Sequence, residues 1–156
     1  MKMKMKITWS HSALKDYENC ARKYHEVRVL KNYKQDSTEQ IRYGEELHKA
    51  AEEYVTGTPL PMQFEFIKPT LDALLDKTGT KHAELKLALD INLQPCDWFS
   101  KDTWVRGIVD LLILDTENKI AWVVDYKTGS NKYPDKEQLD LMALLIFAIQ
   151  DRKSVV

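Results

Sequence analysis

Apolar positions recur first at helical and then at strand spacing, and the changeover falls near residue 80. Leu14, Tyr17, Ala21, Tyr24 and Val27 return every three or four residues. They predict one helix running to about residue 30, capped by Ser10 or Ser12. Ile7, Thr8 and Trp9 ahead of it read as a short extended lead-in. Ile41, Leu47, Ala51 and Tyr54 predict a second helix from Ser37 or Thr38, with Ser37 and Gln40 at capping-box spacing. Gly57 stops it, and residues 58–61 make a turn. Gly44 lies inside this helix in the string GEELH. A glycine there costs about 1 kcal/mol relative to alanine, which points to close packing or a ligand. A third helix is expected over 62–77, with Gly79 as its C-terminal stop.

Beyond residue 80 the period becomes two. Leu85, Leu87, Leu89, Ile91 and Leu93 alternate with Glu84, Lys86, Ala88, Asp90 and Asn92, predicting a half-buried strand. Residues 95–101 form a turn around Trp98, and 104–114 a second strand with Asp110 among apolar neighbours. Residues 116–118 make a hairpin loop into a buried third strand, 120–124. After a polar loop at 132–136, a last helix over about 135–151 carries apolar residues nearly all round, so it should be well buried. The final residues, Ser154 to Val156, suffice for the start of one more strand. The expected architecture is α/β: three helices, a three-stranded meander and a helix, with residues 1–79 mainly helical and 80–156 holding the sheet and the last helix. No repeat, low-complexity tract or linker interrupts it, so 1–156 is read as a single domain.

Composition narrows the class. The 156 residues are 44% hydrophobic and 30% charged, which suits a globular protein with a core of its own. No apolar run approaches the ~18 residues of a membrane span. MKMKMK at the start is basic without a following apolar region, unlike a signal peptide. Cys20 and Cys96 form neither a metal pattern nor a disulfide framework, and a reducing, intracellular (cytoplasmic) setting fits them. The net charge is −1, but residues 1–34 hold nine Lys and Arg against three acids. That basic end either attracts a polyanion or is an ordinary solvated face. Lys15, Arg22, Lys23 and Arg28 on the first helix present the same choice.

Residues 119–129, KIAWVVDYKTG, pass from an apolar run into charge. Asp125 and Lys127 are two apart, so on a strand they leave the same face. Asp110 sits in the neighbouring strand of the hairpin, where cross-strand partners lie within a few ångströms. Two carboxylates so close repel, and a hard cation such as Mg²⁺ relieves that. The cation polarises a phosphoryl oxygen and lowers the pKa of a bound water. Lys127 then orients or deprotonates the water, or neutralises charge in the transition state. This is what metal-assisted phosphodiester hydrolysis needs; the plainer reading is a salt bridge at a strand end. His48 is, on these residues alone, either a ligand or a packed helix histidine. Trp98 and Trp104 either stack on bases or, more commonly, pack. His11, His25 and His82 belong to no constellation, and Asp115 reads as turn chemistry.

Several strings, in order, carry a resemblance. SHSALKDYENCARKYH, GEELHKAAEEY, RGIVD, VVDYKTG and EQLDLMALL, together with the acid Glu84 ahead of the first core strand, resemble the PD-(D/E)XK nuclease superfamily, and within it the RecB-like branch. The likeness spans about residues 8–150. It implies a restriction-endonuclease-like fold with N-terminal helices, a central mixed sheet of three or more strands and flanking helices. It implies His48, Asp110 and Asp125 as ligands of Mg²⁺ or Mn²⁺, with the Tyr126 carbonyl as a further oxygen ligand. Lys127 would be the catalytic lysine, Gln138 a DNA-contacting or positioning residue, and Glu84 a support of the site, with Arg22 and Lys23 as DNA contacts.

The resemblance further implies a DNA nuclease, first an exonuclease, working in recombination, repair or replication. Small stand-alone members of the branch occur in phages, and a helicase or recombination protein would be a separate partner. Met142 departs from the tyrosine often found four residues after the glutamine. Iron–sulfur members of the branch pair an early cysteine with a later trio. Only Cys96 follows Cys20 here, so no iron–sulfur cluster is expected and Cys20 reads as a small buried apolar side chain. A nuclease-like fold without turnover, acting as a nucleic-acid-binding scaffold, is the competing implication.

Overall fold

The structure, a computed structural model, describes residues 7–34, 37–128 and 135–150. The basic start at 1–6, residues 35 and 36, residues 129–134 with the first part of the loop expected at 132–136, and the final residues 151–156 lie outside the described residues. The chain divides into two compact units, residues 1–36, 86–108 and 135–156 forming the first and 37–85 and 109–134 the second. Both take in a length of the first two strands, β1 (Thr80–Asp90) and β2 (Thr103–Asp115). With β3 (Ile120–Val124) these form a three-stranded sheet in the order β1-β2-β3.

In the first unit, Ser10 accepts a hydrogen bond from the Ala13 amide and opens α1 (His11–Asn19). The single helix expected here breaks at Cys20, whose backbone is extended. Its Sγ accepts from the Lys23 amide at 3.4 Å and caps α2 (Ala21–Tyr24), which runs into a π-helical turn (His25–Val29). Cys20 is exposed; it is a cap, not the buried apolar side chain expected. Trp9 bears out the extended lead-in. It bridges in parallel to Val105, its amide donating to the Trp104 carbonyl and its own carbonyl accepting from the Arg106 amide. Its ring stacks on buried Tyr24 and meets the edge of Tyr17.

The last helix, α5 (Lys136–Gln150), buries Met142, Leu145 and Ile146. Leu144 and Phe147 are exposed, so the helix is covered on one face only, contrary to the all-round burial expected. A Cβ at Gly107 would stand 2.9 Å from a Leu145 methyl, which explains the glycine of RGIVD by close approach of helix and strand. β1 starts earlier than expected and ends at Asp90. There Oδ1 accepts from the Asn92 and Gln94 amides, turning the chain and leaving Ile91 and Leu93 exposed.

In the second unit, Thr38 rather than Ser37 caps α3 (Glu39–Val55), accepting from the Ile41 amide. Leu47, Ala50 and Ala51 on one face of α3 meet Leu60, Phe64 and Leu71 in a buried core. Each large side chain there contributes about 1.5–3 kcal/mol by leaving water. The helix expected over 62–77 is a 3₁₀ stretch (Met62–Ile67) followed by α4 (Lys68–Leu75), with Pro69 in the first turn of α4. Proline is tolerated there because the amide has no helical partner to lose. Gly79 has φ +116°, and a Cβ on it would lie 2.6 Å from the Leu114 carbonyl oxygen.

β2 and β3 pair antiparallel, from Leu111 opposite Val124 to Asp115 opposite Ile120. Leu111, Leu112 and Ile113 are buried, whereas Ile120 and Trp122 of β3 are exposed. The bounds of β3 are those expected, but the strand is not buried: among the described residues it is an edge strand paired on one side. The Lys77 ammonium sits 3.8 Å above the Trp122 ring and covers part of it. Asp115 does serve the turn, accepting from Asn118 twice and from the Thr78 hydroxyl.

Candidate functional site

Charged side chains converge in the second unit where β3 ends. The regular strand stops at Val124, so Asp125 and Lys127 lie just past it and not on its face as expected. They still come together: Lys127 Nζ is 2.7 Å from Asp125 Oδ2. The Asp125 side chain is only 7% exposed and that of Lys127 50% exposed. Burial pushes the Asp125 carboxyl above its usual range, against the lowering effect of the Lys127 ammonium; the nearby Asp110 charge raises it further.

α3 brings His48 to the same corner. Its Nδ1 is 3.3 Å from Asp110 Oδ2, and the same oxygen accepts from the Tyr126 amide at 2.7 Å. The hydrogen bond to Asp110 holds the imidazole pKa above its ordinary value, against burial, with help from the Asp110 charge and the Tyr126 backbone. The Tyr126 ring meets His48 edge-on at 5.7 Å and packs against the buried core. Its buried hydroxyl has no hydrogen-bond partner among the described residues. Burial first, and the Asp110 charge second, push that hydroxyl up to about 12.

Gly44 lies one turn before His48 on α3. A Cβ there would meet Thr128 Oγ1 at 3.5 Å, so the helix passes close to the segment that follows β3. A groove of about 650 Å³ opens at this approach, lined by Gly44, Glu45, His48, Glu84 and Thr128 among others. Glu84 falls inside β1, not ahead of it as the resemblance implied. Its φ of +48° is a left-handed conformation that costs a non-glycine residue about 1–2 kcal/mol. A second cavity, about 480 Å³, is lined by Asp125, Tyr126, Lys127 and Thr128 with apolar residues of α3 and α4. Thr128, just past the strand, lines both openings.

Six of the residues singled out from the sequence thus share one unit: His48, Glu84, Asp110, Asp125, Tyr126 and Lys127. Arg22 and Lys23, both exposed on α2, and Gln138 on α5 belong to the other unit. The Gln138 amide donates to Asp135 Oδ1. That unit also corrects the reading of His11. His11 Nε2 lies 3.2 Å from Asp135 Oδ2, and with Glu137 the three offer ligand atoms within 4.8 Å of one another. This is the one such trio among the described residues. Lys15 occupies Glu137 at 2.5 Å.

The ligand atoms of His48, Asp110 and Asp125 are not drawn together so tightly, and in this structure an imidazole and an ammonium face the two carboxylates. The donor set, two carboxylates and one imidazole, nonetheless fits a divalent cation that favours oxygen ligands. Binding it requires His48 to give up its proton, because imidazole ligates in the neutral form.

Comparison with known proteins gives one match. The family described as the PD-(D/E)XK nuclease superfamily matches residues 8–103. The matched stretch includes His48 and Glu84 and ends ahead of Asp110, Asp125 and Lys127. The helices, three-stranded sheet and final helix are consistent with a restriction-endonuclease-like fold. Members of this superfamily are nucleases that typically use a divalent metal. No curated protein and no solved structure matches the chain. Among the described residues no helix is long and apolar enough to cross a membrane.

Proposed function

Because the chain belongs to the PD-(D/E)XK nuclease superfamily, we propose that it is a Mg²⁺- or Mn²⁺-dependent deoxyribonuclease of the RecB-like kind. It hydrolyses phosphodiester bonds as an exonuclease on DNA ends, in recombination, repair or replication. The observation that carries the reading is the Lys127–Asp125 pair at 2.7 Å, in the same unit as the His48–Asp110 pair. His48, Asp110 and Asp125 hold the metal, with the Tyr126 carbonyl as a further oxygen ligand. When bound, the cation polarises a phosphoryl oxygen and makes water a stronger nucleophile at neutral pH.

The protein supplies position and charge. Asp110 is fixed by the Tyr126 amide. Lys127, half exposed, turns from Asp125 to a phosphate oxygen or to the attacking water and offsets the negative charge that develops there. Glu84 supports the site from β1, and Gln138, Arg22 and Lys23 contact DNA. A helicase or recombination protein is a separate partner, and a phage origin belongs to the same reading.

A scaffold without turnover has one observation in its favour. Met142, at the position where the branch often has tyrosine, is buried in α5 and offers DNA nothing. Incubation with single-stranded, blunt and nicked DNA, in Mn²⁺ or in EDTA, separates the two. The proposal expects metal-dependent cleavage that Lys127→Ala and Asp110→Ala each abolish. Binding without cleavage in Mn²⁺ selects the scaffold, and cleavage that survives Lys127→Ala refutes the assigned mechanism.

A further inference from the structure

The first unit contains a cleft of about 820 Å³, larger than either opening at the candidate site. Its charged lining residues are Arg28, Lys31, Lys34 and Arg106, and no Asp or Glu lines it. In a chain with a net charge of −1, four cations share one concavity. Among the described residues only Arg28 of the four has an acid, Asp16, as its ion-pair partner; the other three repel one another. A bound polyanion relieves that repulsion. Arg28 is held by Asp16, which takes its Nε at 2.6 Å. Arg106 is held by stacking on Trp98 and by donating to the Trp98 carbonyl at 3.3 Å. These two guanidinium groups are therefore fixed in place by the protein, while Lys31 and Lys34 are exposed.

The backbone here is also unusual. The π-helical turn ends at Val29, and Lys31 has φ +56°, a left-handed conformation. Both are irregularities that cluster at ligand-binding sites. Between the two lysines, Tyr33 is 66% exposed and lines the cleft. An exposed aromatic between cations is the arrangement that tracks a phosphate backbone while a base stacks on the ring. A duplex keeps its bases stacked on each other and has none to offer Tyr33.

We propose that this cleft binds single-stranded DNA, with Arg28, Lys31, Lys34 and Arg106 along the phosphates and Tyr33 beneath a base. The choice of nucleic acid as the polyanion rests on the nuclease reading. Arg22 and Lys23 do not line the cleft, so the DNA contact proposed for them lies outside it.

The test uses the full chain in EDTA, with the anisotropy of a fluorescent oligothymidylate of about a dozen nucleotides followed over a series of salt concentrations. The double variant Lys31→Ala/Lys34→Ala should bind at least ~10-fold more weakly. Its slope of log affinity against log salt should be shallower by about 1.4, the loss of two single-strand phosphate contacts. Tyr33→Ala should weaken oligothymidylate ~10-fold through lost stacking and leave heparin, a polyanion without bases, unchanged. Unchanged affinity and slope in the double variant overturn the proposal, as does an equal loss for heparin in Tyr33→Ala. Cleavage by the unaltered protein in Mn²⁺ is scored separately. Salt-dependent oligothymidylate binding without cleavage defeats the nuclease reading and leaves the cleft. Cleavage with no effect of the cleft variants on binding does the reverse.

Discussion

Asp110 and Asp115 stand on one strand, β2, in the same unit, and both are sheltered from solvent. Asp115 accepts from the Thr78 hydroxyl and from the Asn118 amide and side chain. These donors are neutral and do not titrate; they hold its carboxyl down to about 2. Asp110 has the Tyr126 amide and a histidine that carries an exchangeable proton. An acid surrounded by neutral donors is committed to its turn, since a cation would have to displace several hydrogen bonds at once. An acid facing a titratable partner can exchange that partner for a metal. Two aspartates on one strand thus divide into a structural residue and a candidate ligand by the chemistry of their partners, not by their own.

That division can be tested by asparagine at each of the two positions on β2. Asp110→Asn should lower Mn²⁺-dependent cleavage by about 10³-fold or more, several kcal/mol of lost charge stabilisation, with little change in melting temperature. Equal losses of activity and stability would erase the distinction. The next effect lies beside Asp115. Gly79→Ala should destabilise the fold by about 2–4 kcal/mol in a denaturant titration, because φ is +116° and the Cβ meets the Leu114 carbonyl. Cleavage per folded molecule should persist.

Asp115→Asn should act more mildly and with a pH signature. A carboxyl depressed from 3.8 to about 2 contributes stability that is complete above its unfolded pKa and lost as pH falls towards 2. The melting temperature of the unaltered protein should therefore drop between pH 4 and 2 more steeply than that of the variant. The smallest effect concerns His48. In metal-free protein its imidazole should titrate above 6.5, and Asp110→Asn should lower that value, read by the ring C–H resonances in NMR. The stability from this pair is present below 6.5 and fades as pH rises through the folded value.

Much of this was legible in the sequence, and the gaps have physical causes. The bounds of β3, the caps at Ser10 and Thr38, the hairpin and the pairing of Asp125 with Lys127 follow from local chemistry, which the residues carry with them. Burial does not. An apolar run such as 120–124 reads the same on an edge strand as in a sheet centre, and α5 reads the same whether one face is covered or all are. The break at Cys20 escaped because Tyr17, Ala21 and Tyr24 keep helical spacing across a single extended residue. The split before α4 did leave a signal in Pro69, a residue at home in a first turn. The partners of His48 and of His11 come from distant segments, and residue spacing does not reveal them.

β3 leads directly into the segment that carries Asp125 and Lys127, yet it is the least buried of the three strands. Amide protection follows the burial and pairing of each strand. In hydrogen exchange, β3 should therefore open by local fluctuation well before Leu111, Leu112 and Ile113 on β2, which should wait for global unfolding. Lys127, the lysine we propose as catalytic, then hangs from a strand that can detach while the core stays folded. On the proposed function, activity should be lost on warming before the melting transition begins, and a nucleic-acid strand that pins Lys127 should slow exchange in β3 first.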